Sequence, residues 1–600
     1  MASESHDYDF IIVGGGTAGL VVAARLSEDP SQHILVLEAG ADHSEDPRVK
    51  TPAFYMATMK TDMDWDFETE AQGKALGGSS IMNAHVFAHP TKKLIDTWAS
   101  LGNDGWDWEG LRDYYTRAFT TPQVPPDLEK TLGIANWTTK DAVGQGPIRV
   151  SFPGNPLHPI RESWAETFQG LGYRMKDNLW TDPLAGIGAF SNFATIDPDR
   201  KDRNHTAKTY YYPIRDRKNL KVLTKAVVEK VLVEGKPMKA VGVQYQYESE
   251  PKVAIARKEV IIAAGVFQSP KLLELSGIGN ANLLSQHGIQ VVKNLTGVGE
   301  NLQDHLVCDI VPEAVNGLET LDALQDPEVL RQAMHDFAAN HTGLLTSAGI
   351  KTFAYMPVAR HHSEEGREAL KELLKKSQPS IGEDSIQGRA RNLAYYNIAK
   401  TSLLDPQTPS AAYLTAIAQN PLALDPITGE RMPPSPGGHV CFAAVLAQPL
   451  SRGCVHIQSR DSLEAPAIDP SYLTNPLDLE IFAEHMLFLH VLATTPPLSN
   501  LVKQPLQLDT PSAHFHDLDA AKKYVQSRAF SMWHPAGTCA MLPEDKGGVV
   551  DTQLKVYGVG NLRVVDSSIV PILPPGHLQS TVYAVAEKAA DLIKKEYGLV

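Results

Sequence analysis

A chain of 600 residues exceeds what one hydrophobic core organises, about 250–300 residues, so its length predicts two large lobes. With 43% apolar residues and a formal net charge of −15, the composition is globular, and the missing basic surplus excludes a nucleic-acid surface. No apolar stretch reaches the ~18–20 residues of a membrane span, so no membrane partner is expected.

Cys308, Cys441, Cys454 and Cys539 lie far apart without a C-x-x-C pair, so neither a metal site nor a disulfide framework is expected. The polar, acidic residues 1–7 lead straight into a strand, leaving no room for a signal peptide. The closing Tyr597-Gly598-Leu599-Val600 is not a peroxisomal signal, and the expected location is the cytoplasm.

The first apolar run, residues 8–13, is followed at once by Gly14-Gly15-Gly16-Thr17-Ala18-Gly19 and a helical segment at 20–26. Strand, G-x-G-x-x-G and helix in that order form a dinucleotide fingerprint. Gly14 allows the turn, Gly16 lets backbone approach a pyrophosphate, and Gly19 lets the helix pack on the strand. A second apolar strand at 33–37 ends in Glu38. A carboxylate there accepts hydrogen bonds from ribose hydroxyls and repels a 2′-phosphate, which predicts FAD or NAD and excludes NADP.

Residues 41–74 read as irregular. The stretch 73–83, Gly-Lys-Ala-Leu-Gly-Gly-Ser-Ser-Ile-Met-Asn, forms a loop of glycines, hydroxyls and an amide that can lie against a flat or anionic ligand. A capped helix is predicted over 105–119, and short strands with an amphipathic segment at 160–171 start a second lobe. Strand-like runs at 219–231, 241–247 and 259–265, the last ending in a glycine before a helix at 271–279, mark a return to the nucleotide-binding sheet. Helical patterns near 325–340 and 480–494 flank the Pro-rich stretch 421–436 and strands at 439–446 and 453–458. These belong to a substrate lobe built on an antiparallel sheet.

Near the C-terminus, Met532-Trp533-His534-Pro535 places a histidine at a turn, and a strand at 562–565 delivers Asp566. After Pro571, Pro574 and Pro575 comes Gly576-His577, then an amphipathic helix for which Ser580 is the expected N-cap. Two histidines fixed by prolines and glycines suit general-base work, because imidazole titrates near neutrality.

These blocks together resemble the glucose–methanol–choline (GMC) oxidoreductases across essentially the whole chain. The resemblance rests on the N-terminal fingerprint with Glu38, the block at 73–83 and the GVFQSPKLLELSGIG block at 265–279. It also rests on GENLQDH at 299–305, HPAGT at 534–538 and the terminal DSSIVP…GHLQSTVYAVAEKAADLI. It implies an α/β FAD-binding, Rossmann-like domain from residues 1–100, 215–310 and 534–600. An α+β substrate domain with an antiparallel sheet, from 101–214 and 311–533, would cap the flavin.

By resemblance, Gly14, Gly16, Thr17, Ala18 and Gly19 carry the cofactor's pyrophosphate turn and Glu38 its ribose. Val228 meets the adenine through its backbone, while Gly78, Ser79, Asn83 and Ala84 contact pyrophosphate and flavin. Trp533, Asp566 and Gln579 complete the cofactor set, with His534 and His577 as the catalytic pair. Relatives that link FAD covalently have histidine immediately before the block's asparagine, where this chain has Met82, so noncovalent FAD is expected. Only one dinucleotide fingerprint is present, so the substrate itself should reduce the flavin. Many relatives read Met-x-Tyr-x-Arg-Gly after that asparagine. Here the sequence is His85-Val86-Phe87-Ala88-His89-Pro90, and a strand over 83–87 would put His85 and Phe87 on one face with Asn83. The expected activity is oxidation of a CH–OH group of a small, aromatic or polyketide-derived alcohol, with His534 as base. Electrons would pass to O2 or another acceptor, and the expected assembly is a monomer or homodimer. The rival expectation is a lyase or cyclase that keeps the flavin and uses the same histidines for acid–base chemistry.

Overall fold

The computed structural model describes residues 6–67, 69, 71–135, 143–173, 187–378, 386–420 and 432–600. Most of the Pro-rich stretch 421–436 lies outside them. Two sheets carry the architecture. The first has seven strands, with Leu220–Leu223, Ile34–Leu37, His6–Val13 and Glu250–Ile262 running parallel in that order. Lys239–Tyr247 and Ala226–Glu234 extend it as antiparallel hairpins, and Leu562–Val564 pairs parallel to Glu250–Ile262. Both faces are covered, so the central strands are apolar without alternation, and Phe10, Ile11 and Ile12 are fully buried.

Register decides what these strands present. Val13 pairs with both Leu37 and Ile262, and Ile262 with Val564, so four parallel strands end level. Gly14, Glu38, Ala263 and Val565 therefore meet at one carboxyl-terminal edge, where open α/β sheets bind ligands. The first helix, Thr17–Leu26, is held to the last, Gln579–Tyr597, by Arg25, whose Nε and Nη2 each donate to Glu587 at 2.8 Å. Glu587 is fully buried and accepts a third bond from Tyr210, so both chain ends lock into one domain.

The second sheet has six antiparallel strands in the order Phe530–Ser531, Leu306–Ile310, Cys441–Leu446, Ala411–Ala416, Ile350–Met356 and Gly188–Ser191. Leu306, Cys308, Ile310, Phe442 and Ala444 pack into a second core with the helix Pro476–Thr494, while the alternate residues face the first domain. No helix among the described residues is long and apolar enough to cross a membrane.

The expected boundaries need three corrections. Strand Leu306–Ile310 lies inside the 215–310 range expected for FAD binding, yet it hydrogen-bonds to Cys441–Leu446 in the second sheet. Helix Trp108–Ala118, expected in the substrate lobe, packs on the C-terminal helix, with Tyr115 bonded to Thr581 at 2.9 Å and Arg117 to Asp591 at 2.8 Å. Strand Gly453–His456, also expected there, pairs with Glu300–Leu302, and its His456 bonds Glu274 of the helix Gly265–Leu275. Amphipathic periodicity shows that an element has a buried face but not which domain it buries against. The helix at 105–119 does form over Trp108–Ala118, capped by Asp107 through Gly110 N at 2.9 Å.

Candidate active site

One cavity of about 750 Å³ runs from the parallel strand ends to the face of the antiparallel sheet. Gly14, Gly16, Thr17 and Ala18 line its first part. Gly19 does not: a Cβ there would come 1.9 Å from the Gly14 carbonyl oxygen, so its glycine serves helix–strand packing. At Gly16 the nearest atom to an added Cβ is Gly78 Cα at 3.6 Å, so the protein alone does not demand glycine there. That position is a cradle a side chain would fill.

Glu38 turns into the same region. Its Oε2 accepts from Gly15 N at 2.8 Å and its Oε1 from Gly40 N at 2.7 Å. Burial pushes its carboxyl up to about 7 against those two amides. Each oxygen retains acceptor capacity suited to a diol. Val228 and Ala84 also line the cavity. Gly78 takes a left-handed φ of 53° opposite Gly16, and the neighbouring Ser79 is exposed to the cavity.

Two helices begin at this cavity with bare N-termini. Thr17–Leu26 starts after Gly16 and Gln579–Tyr597 after Leu578, and neither has a side-chain cap. Ser580 is not the N-cap expected from sequence, because its hydroxyl donates to the Ala88 carbonyl at 2.5 Å. The unpaired N–H groups of both helices suit anionic ligand atoms. Gln579 accepts from Asn83 Nδ2 at 3.1 Å, and Asn83 Oδ1 accepts from Arg203 at 2.9 Å, which joins the 73–83 loop to the last helix. Asp566 borders the cavity, but its carboxylate is committed to protein donors: Ser269 at 2.5 Å, Gly265 N at 3.0 Å and Ser568 N at 2.8 Å. It ties two strand ends together. These residues fit a dinucleotide: a glycine cradle, two helix N-termini and a carboxylate at the second strand's end.

This fit gives a prediction. Gly16→Val should purify folded but with little flavin per molecule, read from visible absorbance, whereas Gly19→Val should fail to fold because its Cβ overlaps backbone. A fully loaded Gly16→Val protein would remove the pyrophosphate from this position.

The expected strand over 83–87 is corrected. Only Val86–Phe87 is extended, since His85 has a left-handed φ of 67°. His85 therefore faces the cavity, while Phe87 turns into the core edge-on to Phe119, with centroids 5.0 Å apart.

At the far end, His534 and His577 meet with ring centroids 4.6 Å apart and planes at 75°. The turn that presents His534 wraps the Asp304 carboxylate, which accepts from His534 N at 2.9 Å, Ser531 Oγ at 2.6 Å and Tyr472 OH at 2.6 Å. Ser531 in turn accepts from Trp533 N at 2.8 Å, and Trp533, at a left-handed φ of 56°, lines the cavity beside His534.

A third histidine sets the protons. His305 Nε2 lies 2.9 Å from the Ala447 carbonyl oxygen, which only accepts, so Nε2 carries hydrogen. In a neutral ring His305 Nδ1 is then an acceptor, and it lies 2.9 Å from His534 Nδ1. His534 Nδ1 must donate, which leaves His534 Nε2 with a free lone pair. Burial holds all three histidines below the ordinary imidazole range, with the neighbouring rings adding to it at His534 and at His577, which lies at about 3. His577 Nδ1 is buried without a partner, so the chemistry of that ring falls to Nε2.

Asp304, His305 and Ser531 had no role in the sequence reading, although Asp304 and His305 stand in a quoted family block. The His305–His534 contact spans 229 residues, and no local pattern signals it.

A dinucleotide cleft opening onto a buried, neutral histidine pair defines an oxidoreductase that uses a dinucleotide cofactor. The chain belongs to the GMC oxidoreductase family, FAD-dependent dehydrogenases and oxidases, which it matches over residues 8–307 and 449–586. It is 33% identical to the dehydrogenase mpl7 of Monascus purpureus over 98% of this chain and 96% of that one. In structure it is similar to an FAD-dependent oxidoreductase from Chaetomium thermophilum, with a TM-score of 0.85 and 27% identity over 99% of this chain and 100% of that one. A fungal aryl-alcohol oxidase has a TM-score of 0.80 at 28% identity over 99% of both chains.

Proposed function

We propose that this chain oxidises a CH–OH group of a small aromatic or polyketide-derived alcohol to the carbonyl, with His534 as general base. The observation that carries the reading is the His534 Nε2 lone pair, fixed by His305 and turned to the cavity end. Bound FAD supplies the two-electron acceptor for the hydride leaving the carbinol carbon. His534 Nε2 takes the hydroxyl proton, and His577 Nε2 hydrogen-bonds the same oxygen as charge gathers on it. The apolar cavity wall excludes water from that proton transfer. The likeness to a fungal aryl-alcohol oxidase supports an aromatic substrate. Anaerobic mixing with a panel of aromatic alcohols tests this: bleaching of the flavin absorbance supports the oxidation. Turnover of a metabolite without bleaching by any alcohol selects the lyase or cyclase reading instead.

The FAD is held without a covalent bond, because Met82, whose thioether is no attachment nucleophile, precedes Asn83 and lines the cavity. Acid precipitation should leave a colourless pellet and a yellow supernatant. Colour retained in the pellet would show a link.

The low histidine values fix the pH dependence. A base must be unprotonated, and a pKa below the ordinary value of about 6.5 keeps it so down to lower pH. The rate of flavin reduction should therefore show no acid limb between about pH 5 and 8. A limb with its midpoint near pH 6.5 would contradict the buried neutral pair.

A further inference from the structure

Beyond the histidines the cavity continues along the antiparallel sheet, where Asp322, Gln325, Gln419 and Asn420 line it from the connecting segments and the strands themselves present apolar residues with one exception. Strand Leu306–Ile310 turns Val307 and Asp309 into the cavity, and the neighbouring strands add Leu414, Ala416, Cys441 and Ala443. Asp309 is the only charged side chain among the described strand residues of this wall, and it is 2% exposed. Its Oδ2 accepts from Asn420 Nδ2 at 2.6 Å and from Cys441 Sγ at 3.4 Å, both also in the lining. Its Oδ1 makes no hydrogen bond and has the Arg528 Nη2 3.5 Å away. That guanidinium also bonds Asp509 at 2.8 Å, so the buried Asp309 and the partly buried Asp509 share it. Burial and the second carboxylate both push the Asp309 carboxyl up. A pair that only fastened strand to helix would need no member in the cavity wall, and no polar neighbours there.

We propose that Asp309, with Asn420 and Cys441 beside it, anchors the substrate end opposite the carbinol by accepting a hydrogen bond from a hydroxyl or amine. This rests on His534 as the base at the carbinol. The spacing sets the substrate's length. His305, which holds His534, and Asp309 are four extended residues apart, so their Cα atoms are separated by about 13 Å. Side chains at the two positions stand on one face of the extended segment, so a substrate lying along it between His534 and Asp309 has room for two aromatic rings in line. Tyr55, Met56 and Met59 add the aromatic and thioether surface that such rings pack against. The substrate class is thus an elongated aryl alcohol with a distal donor.

The test uses three para-hydroxymethyl biphenyls whose far ring carries a para hydroxyl, aminomethyl or methyl group. Their dissociation constants are read by rapid mixing with the FAD-loaded protein, from the perturbation of the oxidised flavin spectrum that precedes any reduction. The hydroxyl and aminomethyl probes should bind about tenfold or more tighter than the methyl probe, as one buried hydrogen bond provides. In Asp309→Leu the ratios should fall to about one. In Asp309→Asn the hydroxyl preference should survive and the aminomethyl preference should not. FAD content and melting temperature report folding; should the leucine variant not fold, the asparagine variant decides alone, and an aminomethyl preference retained there overturns the proposal. Equal binding of all three probes to wild type, or equal weakening of all three in Asp309→Leu, overturns it too. Donor-dependent binding without flavin reduction by any probe supports the anchor and counts against His534 as the oxidising base.

Discussion

His534→Ala should slow anaerobic flavin reduction by about 10²–10⁴-fold, the usual contribution of general-base catalysis, with bound FAD close to wild type. The expectation follows from the tautomer. His534 Nδ1 is spent on His305 Nδ1 at 2.9 Å, so its Nε2 is the free basic atom at this end of the cavity. Alanine removes that lone pair, and His577, whose Nδ1 has no partner to fix its tautomer, is a weaker substitute. His577→Asn keeps a donor for the developing alkoxide and should retain part of the rate. The double variant should lose less than the product of the two single losses, because both rings act on one oxygen and one proton. Rapid-mixing absorbance, with flavin content measured first, decides the matter. A His534→Ala protein that reduces its flavin at near wild-type rate ends the oxidation mechanism and leaves the lyase or cyclase reading ahead.

His305→Leu should cost about 10²-fold in the same rate although His305 is a positioning residue. Leucine is apolar, so the His534 Nδ1–H and the Ala447 carbonyl both lose their partner in a buried place, at about 1–3 kcal/mol each. His534 recovers some of that by turning its lone pair elsewhere or moving its proton to Nε2, and either change removes the base from the substrate. His305→Gln separates this from mere packing loss. A glutamine can accept from His534 through its carbonyl and donate to Ala447 through its amide, the same polarity as the neutral histidine, so it should recover much of the rate. Equal loss in leucine and glutamine variants would make His305 structural only.

Much of the first domain was legible because its information is local. The glycine turn, the acid at the end of the second strand and the helix after Gly16 are adjacent in sequence, and their physics is satisfied within some thirty residues. His534 and His577 stood out for a similar reason, each beside prolines and glycines that fix a turn. The strand at 83–87 failed because one left-handed residue, His85, interrupts the alternation, and residue type alone does not reveal its φ of 67°. The helix Trp108–Ala118 was found as an element but assigned to the wrong lobe.

The amino-acid sequence by itself determined the family and the glycine turn, and it marked His534 and His577 as candidates, since these depend on short-range spacing and on side-chain chemistry. Only the tertiary structure decided which nitrogen of His534 is basic, because that rests on His305 and on the Ala447 carbonyl, both brought in from other strands. It likewise decided that Asp566 is spent on Ser269 and Gly265, and that Asp309 is turned from its strand into the cavity beside Asn420 and Cys441. A proton's position follows from the partner a ring meets. Partners that lie 142 and 229 residues apart in sequence are chosen by strand register and packing, which no local pattern encodes.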